Sequence, residues 1–347
     1  MRVRALARAL LAAALFGAAT PASKWLLSDL TPFQLAGLLY LGAALGVCSG
    51  AVRGGRVPLP AGGDRNRARL LGAVVAGGLV GPVLLLVGLR LAEAASVSLW
   101  LSFELTATAL LGALVFRDHL GRAGWAGVAM ALAASCLLSA EGGAAGPTAG
   151  TLVLLACLCW GLDNHLTALI DGVTPSQSTF WKALVAGTVN LGIGVALDPF
   201  TARPPLVLAG LLVGAWSYGA SIVLYITAAQ GLGATRAQIA FATAPLFGVL
   251  LSVTWLGESL APVHAAAAAL FLASVALVTA DRHAHAHEHE ALEHEHGHRH
   301  DDGHHTHEHP GLRPSAWHTH RHRHEPVVHS HPHWPDLHHR HRHDADP

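Results

Sequence analysis

The side chains able to do chemistry fall into two groups with opposite surroundings. Glu104, Asp163, His165 and Lys182 are embedded in long apolar runs, while 23 of the 26 histidines crowd into residues 281–347. A charge at the centre of a membrane-spanning helix costs roughly 2.5–3.5 kcal/mol on insertion scales, so the embedded groups are functional candidates by default. Glu104 lies near the middle of its run, with Trp100 and Thr108 one helical turn to either side on the same predicted face. A carboxyl so placed is a candidate proton carrier. Asp163, within Trp160-Gly161-Leu162-Asp163-Asn164-His165, and Lys182, within Phe180-Trp181-Lys182, flank a loop centred near Thr174. An antiparallel hairpin sets the two at similar depth, and a salt bridge between them would keep both charged away from water. We expect Glu104, Asp163, Asn164 and Lys182 to face one cavity, joined by His165, Trp100 and Trp160 as substrate or coupling residues. A structural clasp is the alternative for the Asp163–Lys182 pair.

The histidine-rich segment offers different chemistry. Its His-x-His repeats comprise His283, His285, His287, His289, then His294, His296, His298, His300, then His318, His320, His322, His324, and finally His329, His331, His333. Neutral imidazoles ligate Zn, Ni, Co and Cu ions, and interleaved Glu288, Glu290, Glu293, Glu295 and Glu308 could complete mixed sites. No spacing imposes a single tetrahedral site, so we expect labile, multiple binding and no required cofactor. His294-Glu295-His296-Gly297-His298 formally fits the H-E-x-x-H zinc-protease pattern, but no apolar helix face would hold it. With few aliphatic residues and 12 carboxylates, residues 281–347 cannot bury enough surface to offset their ordering entropy. They are expected to be a disordered tail.

The elements that must position the embedded groups are helices in lipid. Mean hydropathy is +0.42 even with the tail included. Residues 1–280 carry only 15 Lys plus Arg and 10 Asp plus Glu. Ten apolar stretches, near 5–22, 32–52, 70–89, 94–116, 123–140, 149–168, 176–197, 205–228, 234–256 and 262–280, each approach the ~20 residues that cross a bilayer. With the N-terminus in the cytoplasm, eleven arginines of the body fall in inside segments, against Lys24, Arg90 and Arg203 outside. Both termini are therefore expected in the cytoplasm, and the protein in a bacterial inner membrane. The basic start and Ala/Leu run of residues 1–18 also fit a secretory signal peptide, but the repeat described next uses them as a first helix. Cys48, Cys136, Cys157 and Cys159 all fall in spans and read as small packing residues. Pro21, Pro82 and Pro245 fall within spans and are expected to break or bend them.

A shift of 140 residues lays Phe116-Arg117-Asp118-His119-Leu120 on Leu256-Gly257-Glu258-Ser259-Leu260, and a shift of 144 lays Phe16-Gly17 on Trp160-Gly161. Two units of five spans result, 1–140 and 149–280, and five being odd, the second enters the membrane inverted. The stretches Ala92–Ser139 and Gly231–Thr279, with Ala242-Thr243-Ala244-Pro245 followed by Glu258, resemble paired EamA domains of the drug/metabolite transporter superfamily. Leu105 stands where the repeat alignment places Pro245, a departure from that pattern. The tail, with His329-Ser330-His331-Pro332-His333, also resembles the His-rich tails of some EamA permeases. The resemblance implies an all-α, ten-helix inverted-repeat fold and transport, without naming a substrate.

No G-x-x-x-x-G-K-[ST] loop supports an ATP-driven pump, no basic-aromatic surface suggests nucleic acid, and no nucleophile with a base at workable spacing suggests an enzyme. We expect a secondary transporter of a small organic solute, an exporter, with a metal-binding regulatory tail. Transport of a divalent transition metal is the alternative, and a membrane-anchored metal buffer the third reading. The expected partners are the bilayer, the solute and divalent ions, with a homodimer left open.

Overall fold

The computed structural model describes residues 2–52, 55–59, 63–115, 121–141, 145–170, 174–232, 241–280, 284–289, 292–298, 318–324 and 327–332. Its body is helical: α1 (Arg2–Gly17), α2 (Ala19–Leu26), α3 (Pro32–Ala51), α4 (Asp64–Ala73), α5 (Gly81–Leu91), α6 (Ala94–Trp100), α7 (Phe103–Val115), α8 (Arg122–Glu141), α9 (Gly146–Ala168), α10 (Pro175–Leu197), α11 (Pro204–Val213), α12 (Ser221–Leu232), α13 (Ala244–Leu256) and α14 (Pro262–Ala280). Among the described residues, eight helical stretches are long and apolar enough to cross a membrane, and the shorter Ala244–Leu256 and Pro262–Leu277 bring the set to ten. The first span is α1 with α2. The third joins α4 to α5 through a π-helical stretch, Val74–Val80, and the eighth joins α11 to α12 through another, Gly214–Ala220. The fourth is α6 with α7.

Packing between the halves follows a two-fold pattern. The second span packs on the seventh and the fifth on the tenth; the sixth lies against the third and fourth, as the first lies against the eighth and ninth. Each pairing maps onto itself or onto another when the first five spans are exchanged for the last five, as related repeats require. In lipid the helices gain little from hiding apolar surface, so close approach through small residues carries the association. At the crossing of α3 and α10, a Cβ on Gly187 would come 2.7 Å from Leu41 N, which leaves room for glycine alone.

The same crossing is locked by reciprocal caps. Thr31 and Gln34 form a capping box at the start of α3, as Thr174 and Gln177 do at the start of α10. Gln34 Nε2 then donates to Gly194 O at 3.3 Å and Asp198 O at 3.1 Å, the far end of α10. Gln177 Nε2 donates to Ala51 O at 3.3 Å, the far end of α3. One glutamine thus fills orphan carbonyls of the partner helix in the other half.

Where the sequence suggested irregular chain, parts of the tail backbone form two antiparallel strand pairs. β1 (Ala284–His289) pairs with β4 (Val327–Pro332), and β2 (Leu292–His298) with β3 (His318–His324). Alternation of histidine with other residues has the two-residue period of a strand, which is the local reason. His283, His300 and His333 lie outside the described residues.

Candidate functional site

The site begins with broken helices. The fourth span stops at Trp100, turns through Leu101 and Ser102, and restarts at Phe103. The ninth turns at Ala242 and Thr243 before α13, and the first turns at Ala18 between α1 and α2. The three prolines expected to interrupt spans sit in the first turn of a helical segment. Pro245 is at the start of α13, Pro82 follows the π stretch at the start of α5, and Pro21 is the third residue of α2. Pro245 fits there because its missing N–H has no intrahelical partner to lose, whereas Pro82 lies in one continuous span and leaves Gly78 O, four residues back, without its helical donor.

The three breaks meet around a cleft at the seam of the two halves. Its walls include Phe16, Gly17 and Thr20 from the first span, Ser98, Leu101, Ser102, Glu104 and Leu105 from the fourth, and Phe241, Ala242, Ala244 and Pro245 from the ninth. Glu104 lies just past the break and lines this cleft. Its Oε1 accepts from Asn164 Nδ2 at 3.3 Å; the same amide donates to Thr108 Oγ1 at 3.2 Å, and Thr108 Oγ1 donates to Glu104 O at 2.9 Å. His165 Nε2 is 2.9 Å from Thr108 O, so α9 fixes α7 through a small polar network. No cation pairs with Glu104 among the described residues. Ser98 Oγ, on the other side of the break, is a buried side-chain oxygen with no hydrogen-bond partner, an arrangement that costs roughly 1–3 kcal/mol if nothing fills it.

Asp163 and Lys182 form the anticipated salt bridge, Nζ to Oδ2 at 2.6 Å, but neither residue lines the cleft. The pair is buried under the π stretch of the third span. There Asp163 Oδ1 accepts from Thr167 Oγ1 at 2.9 Å. Gly77 is glycine because any Cβ would collide with the Asp163 carboxylate. The π stretch loosens the helical ladder, and side chains take up the freed carbonyls. Tyr40 Oη and Trp160 Nε1 both donate to Gly77 O, and Asn190 Nδ2 donates to Gly78 O at 3.1 Å. Asp163, Lys182 and Trp160 therefore brace the helix behind the cleft.

Trp100 is also elsewhere than the i, i+4 spacing suggests. Because the helix breaks after it, Trp100 does not share a face with Glu104; its indole is 1% exposed and Nε1 donates to Ser135 O at 3.2 Å, inside the helix packing. Cys157 is fully buried in that packing, and no cluster of three or more His, Cys, Asp or Glu able to hold a metal occurs among the described residues. Sequence reasoning missed Ser98, Thr20 and Ser102, ordinary hydroxyls in apolar runs. It also missed the aromatic wall, in which Phe16 meets Phe241 at 5.4 Å and Tyr218 at 5.8 Å between ring centroids.

Polar contacts tie the two halves together at the end of the bundle where the first, third and ninth spans finish and the fourth and tenth begin. Glu258, from the loop after α13, accepts from Ala94 N and Ala95 N at 2.8 Å each, capping α6 in the other half. Lys24 donates to Leu89 O and Ala92 O at 2.7 Å each, and His264 Nε2 meets Ser96 Oγ at 3.1 Å. The helix that Glu258 caps belongs to the opposite repeat. Asp118, its counterpart under the 140-residue shift, lies outside the described residues.

An inverted repeat with broken helices around a central cleft is an arrangement suited to alternating access. A solved crystal structure of a protein shares the fold with a TM-score of 0.57 at 18% identity, covering 81% of this chain and 98% of its own. An uncharacterised transporter of Methanothermobacter thermautotrophicus (strain Delta H) is 29% identical over 196 residues, which is 52% of this chain and 55% of that relative. The chain thus spans about half the length of the curated relative it matches. The EamA-like transporter family matches twice, over residues 4–140 and 148–280, and this chain, a multi-pass membrane protein, belongs to that family.

Proposed function

We propose that the protein is a secondary transporter that exports a small organic solute across a bacterial inner membrane, with Glu104 as the group that couples export to proton entry. The carrying observation is the position of Glu104: a carboxyl without a paired cation among the described residues, on a broken span, lining the cleft between the halves. A carboxyl that meets the cleft can exchange its proton with whichever side the cleft faces, whereas Asp163 is held by Lys182. An organic solute suits walls that are mostly apolar and aromatic, with hydroxyls and one carboxylate. A divalent metal as cargo would need several oxygen, nitrogen or sulfur ligands together, and one carboxylate with scattered hydroxyls is a poor set. The arginine distribution supports an exterior position for the Lys24–Glu258 end, and the contacts there between the two halves support reading this conformer as closed to the exterior. The tail is assigned a regulatory role, binding divalent ions on the cytoplasmic side.

The test is proton movement in proteoliposomes loaded with candidate solutes and carrying an imposed pH gradient. The wild type should show solute-dependent proton flux, and Glu104→Gln should abolish it while inserting and folding normally. Unchanged pH dependence of flux in that variant would remove Glu104 from the coupling role.

A further inference from the structure

We infer that the solute carried by this cleft is an organic cation whose charged group bears N–H donors, a protonated amine or amidine attached to an apolar or aromatic body. The inference rests on the transport reading above and concerns what the same cleft recognises. Two independent observations point to such a ligand. Glu104 presents a carboxyl to the cleft with Oε1 bonded to Asn164 and no cationic partner among the described residues. Ser98, only 1% exposed, lines the same cleft with its hydroxyl oxygen unpartnered. An anion and a lone hydroxyl acceptor on either side of one helix break are complementary to a positive group with more than one N–H.

The rest of the wall is consistent with this choice and unfavourable to others. The lining holds no lysine or arginine among the described residues. Lys182 is committed to Asp163, and Lys24 to two backbone carbonyls at the Glu258 end. An anionic solute would therefore meet Glu104 without any compensating charge. A neutral solute would leave the carboxylate without a counter-charge in a largely apolar cleft. Phe16 and Phe241, tilted 46° to each other, supply aromatic surface for the body of the cation and ring faces for its charge.

This assignment also explains how one carboxyl could serve both cargo and coupling. Glu104 binds either a proton or the organic cation. Releasing RNH3+ on one side and returning with H+ moves one positive charge each way, so the exchange is electroneutral and balanced. Competition for a single carboxyl makes the two fluxes obligatorily linked.

Three nearly isosteric probes separate the possibilities: benzamidinium, benzamide and benzoate, carrying +1, 0 and −1. Binding is read on the full-length detergent-purified protein as the shift in unfolding temperature, and flux as counterflow of labelled probe in proteoliposomes. Benzamidinium should stabilise the protein and the other two should not. The benzamidinium shift should vanish in Glu104→Gln, shrink in Ser98→Ala, and weaken on acidification as protons compete. Equal shifts by benzamide or benzoate, no shift by benzamidinium, or a benzamidinium shift that survives Glu104→Gln would each overturn the assignment. Failure of the transport reading has its own signature: benzamidinium binds through Glu104 and yet shows no counterflow.

Discussion

Removing Lys182 should injure the fold far more than removing the whole ion pair. In Lys182→Met, the Asp163 carboxylate keeps Thr167 as its remaining listener among side chains, at a site where its side chain is 7% exposed. Breaking one partner out of a buried pair typically costs 3–5 kcal/mol; because the Lys182 side chain is 16% exposed, we place this case at the lower end, about 3 kcal/mol. Asp163→Asn should cost a similar amount by stranding the ammonium. The double variant Asp163→Asn/Lys182→Met carries no unpaired charge and should return to within about 1 kcal/mol of wild type, giving a coupling energy of about 5–7 kcal/mol of opposite sign. Reversible unfolding of the full-length protein in mixed micelles, followed by tryptophan fluorescence, measures all four corners of the cycle. Because the pair braces the π stretch behind the cleft and does not line it, the double variant should also keep transport. Additive single-variant losses would refute the buried-pair argument, and a stable double variant with no flux would place the pair in the solute path.

Other expectations follow from the same geometry. Gln34→Leu and Gln177→Leu each remove donors to carbonyls at the partner helix's end and should destabilise by about 1–2 kcal/mol, Gln34→Leu the more because Gln34 reaches more carbonyls, in the same unfolding assay. Glu258→Gln weakens two charge-assisted bonds to α6 and should raise the reactivity of a cysteine placed at Ser96, in a background lacking native cysteines, toward an impermeant maleimide; unchanged labelling would mean that closure at this end does not depend on that carboxylate. Truncation after Arg282 should leave a folded permease whose transport persists but no longer responds to Zn or Ni ions, whereas loss of transport would make the tail part of the permease itself.

Much of the frame was legible in the sequence because lipid imposes a simple rule. A span must be long, apolar and helical, so counting apolar runs located ten of them, and the 140-residue shift related the halves. The Asp163–Lys182 bridge was legible for a similar reason: an antiparallel hairpin fixes depth by counting from the turn. Trp100 was misplaced because side-chain spacing presumes an unbroken helix, and nothing in Leu101-Ser102 has the punctuation of glycine or proline. Yet Ala242-Thr243, which the 140-residue shift sets one position beyond that pair, breaks just before a proline, so the weaker break could have been inferred from its stronger mate. Another signal went unread. Thr31-Pro32-Phe33-Gln34 and Thr174-Pro175-Ser176-Gln177 share a T-P-x-Q pattern at an offset of 143, and both turned out to be capping boxes. Ser98 was invisible, since its significance lies in a missing partner, which only three-dimensional packing defines.

The departures from symmetry are as instructive as the repeat. The shift that relates the two broken spans sets Glu104 opposite Ala244 and Leu105 opposite Pro245, so the frame is nearly two-fold but the cleft's carboxyl comes from one half only. Had both halves carried it, two like charges would face each other in a medium that screens them poorly, and each would disfavour ionisation of the other. A single carboxyl can be presented to either side as the halves rock, provided one end opens as the other closes. Glu258 reaches from the second half to the N-terminus of α6, whose continuation past the break carries Glu104. The Glu258 contact and the carboxyl therefore sit on the two sides of the break in one span, so on the proposed reading movement of α6 when Glu258 lets go would reach the hinge at Leu101-Ser102 beside the cleft. On the proposed reading, rocking of two similar halves would supply the motion and the asymmetric carboxyl would hold the cargo.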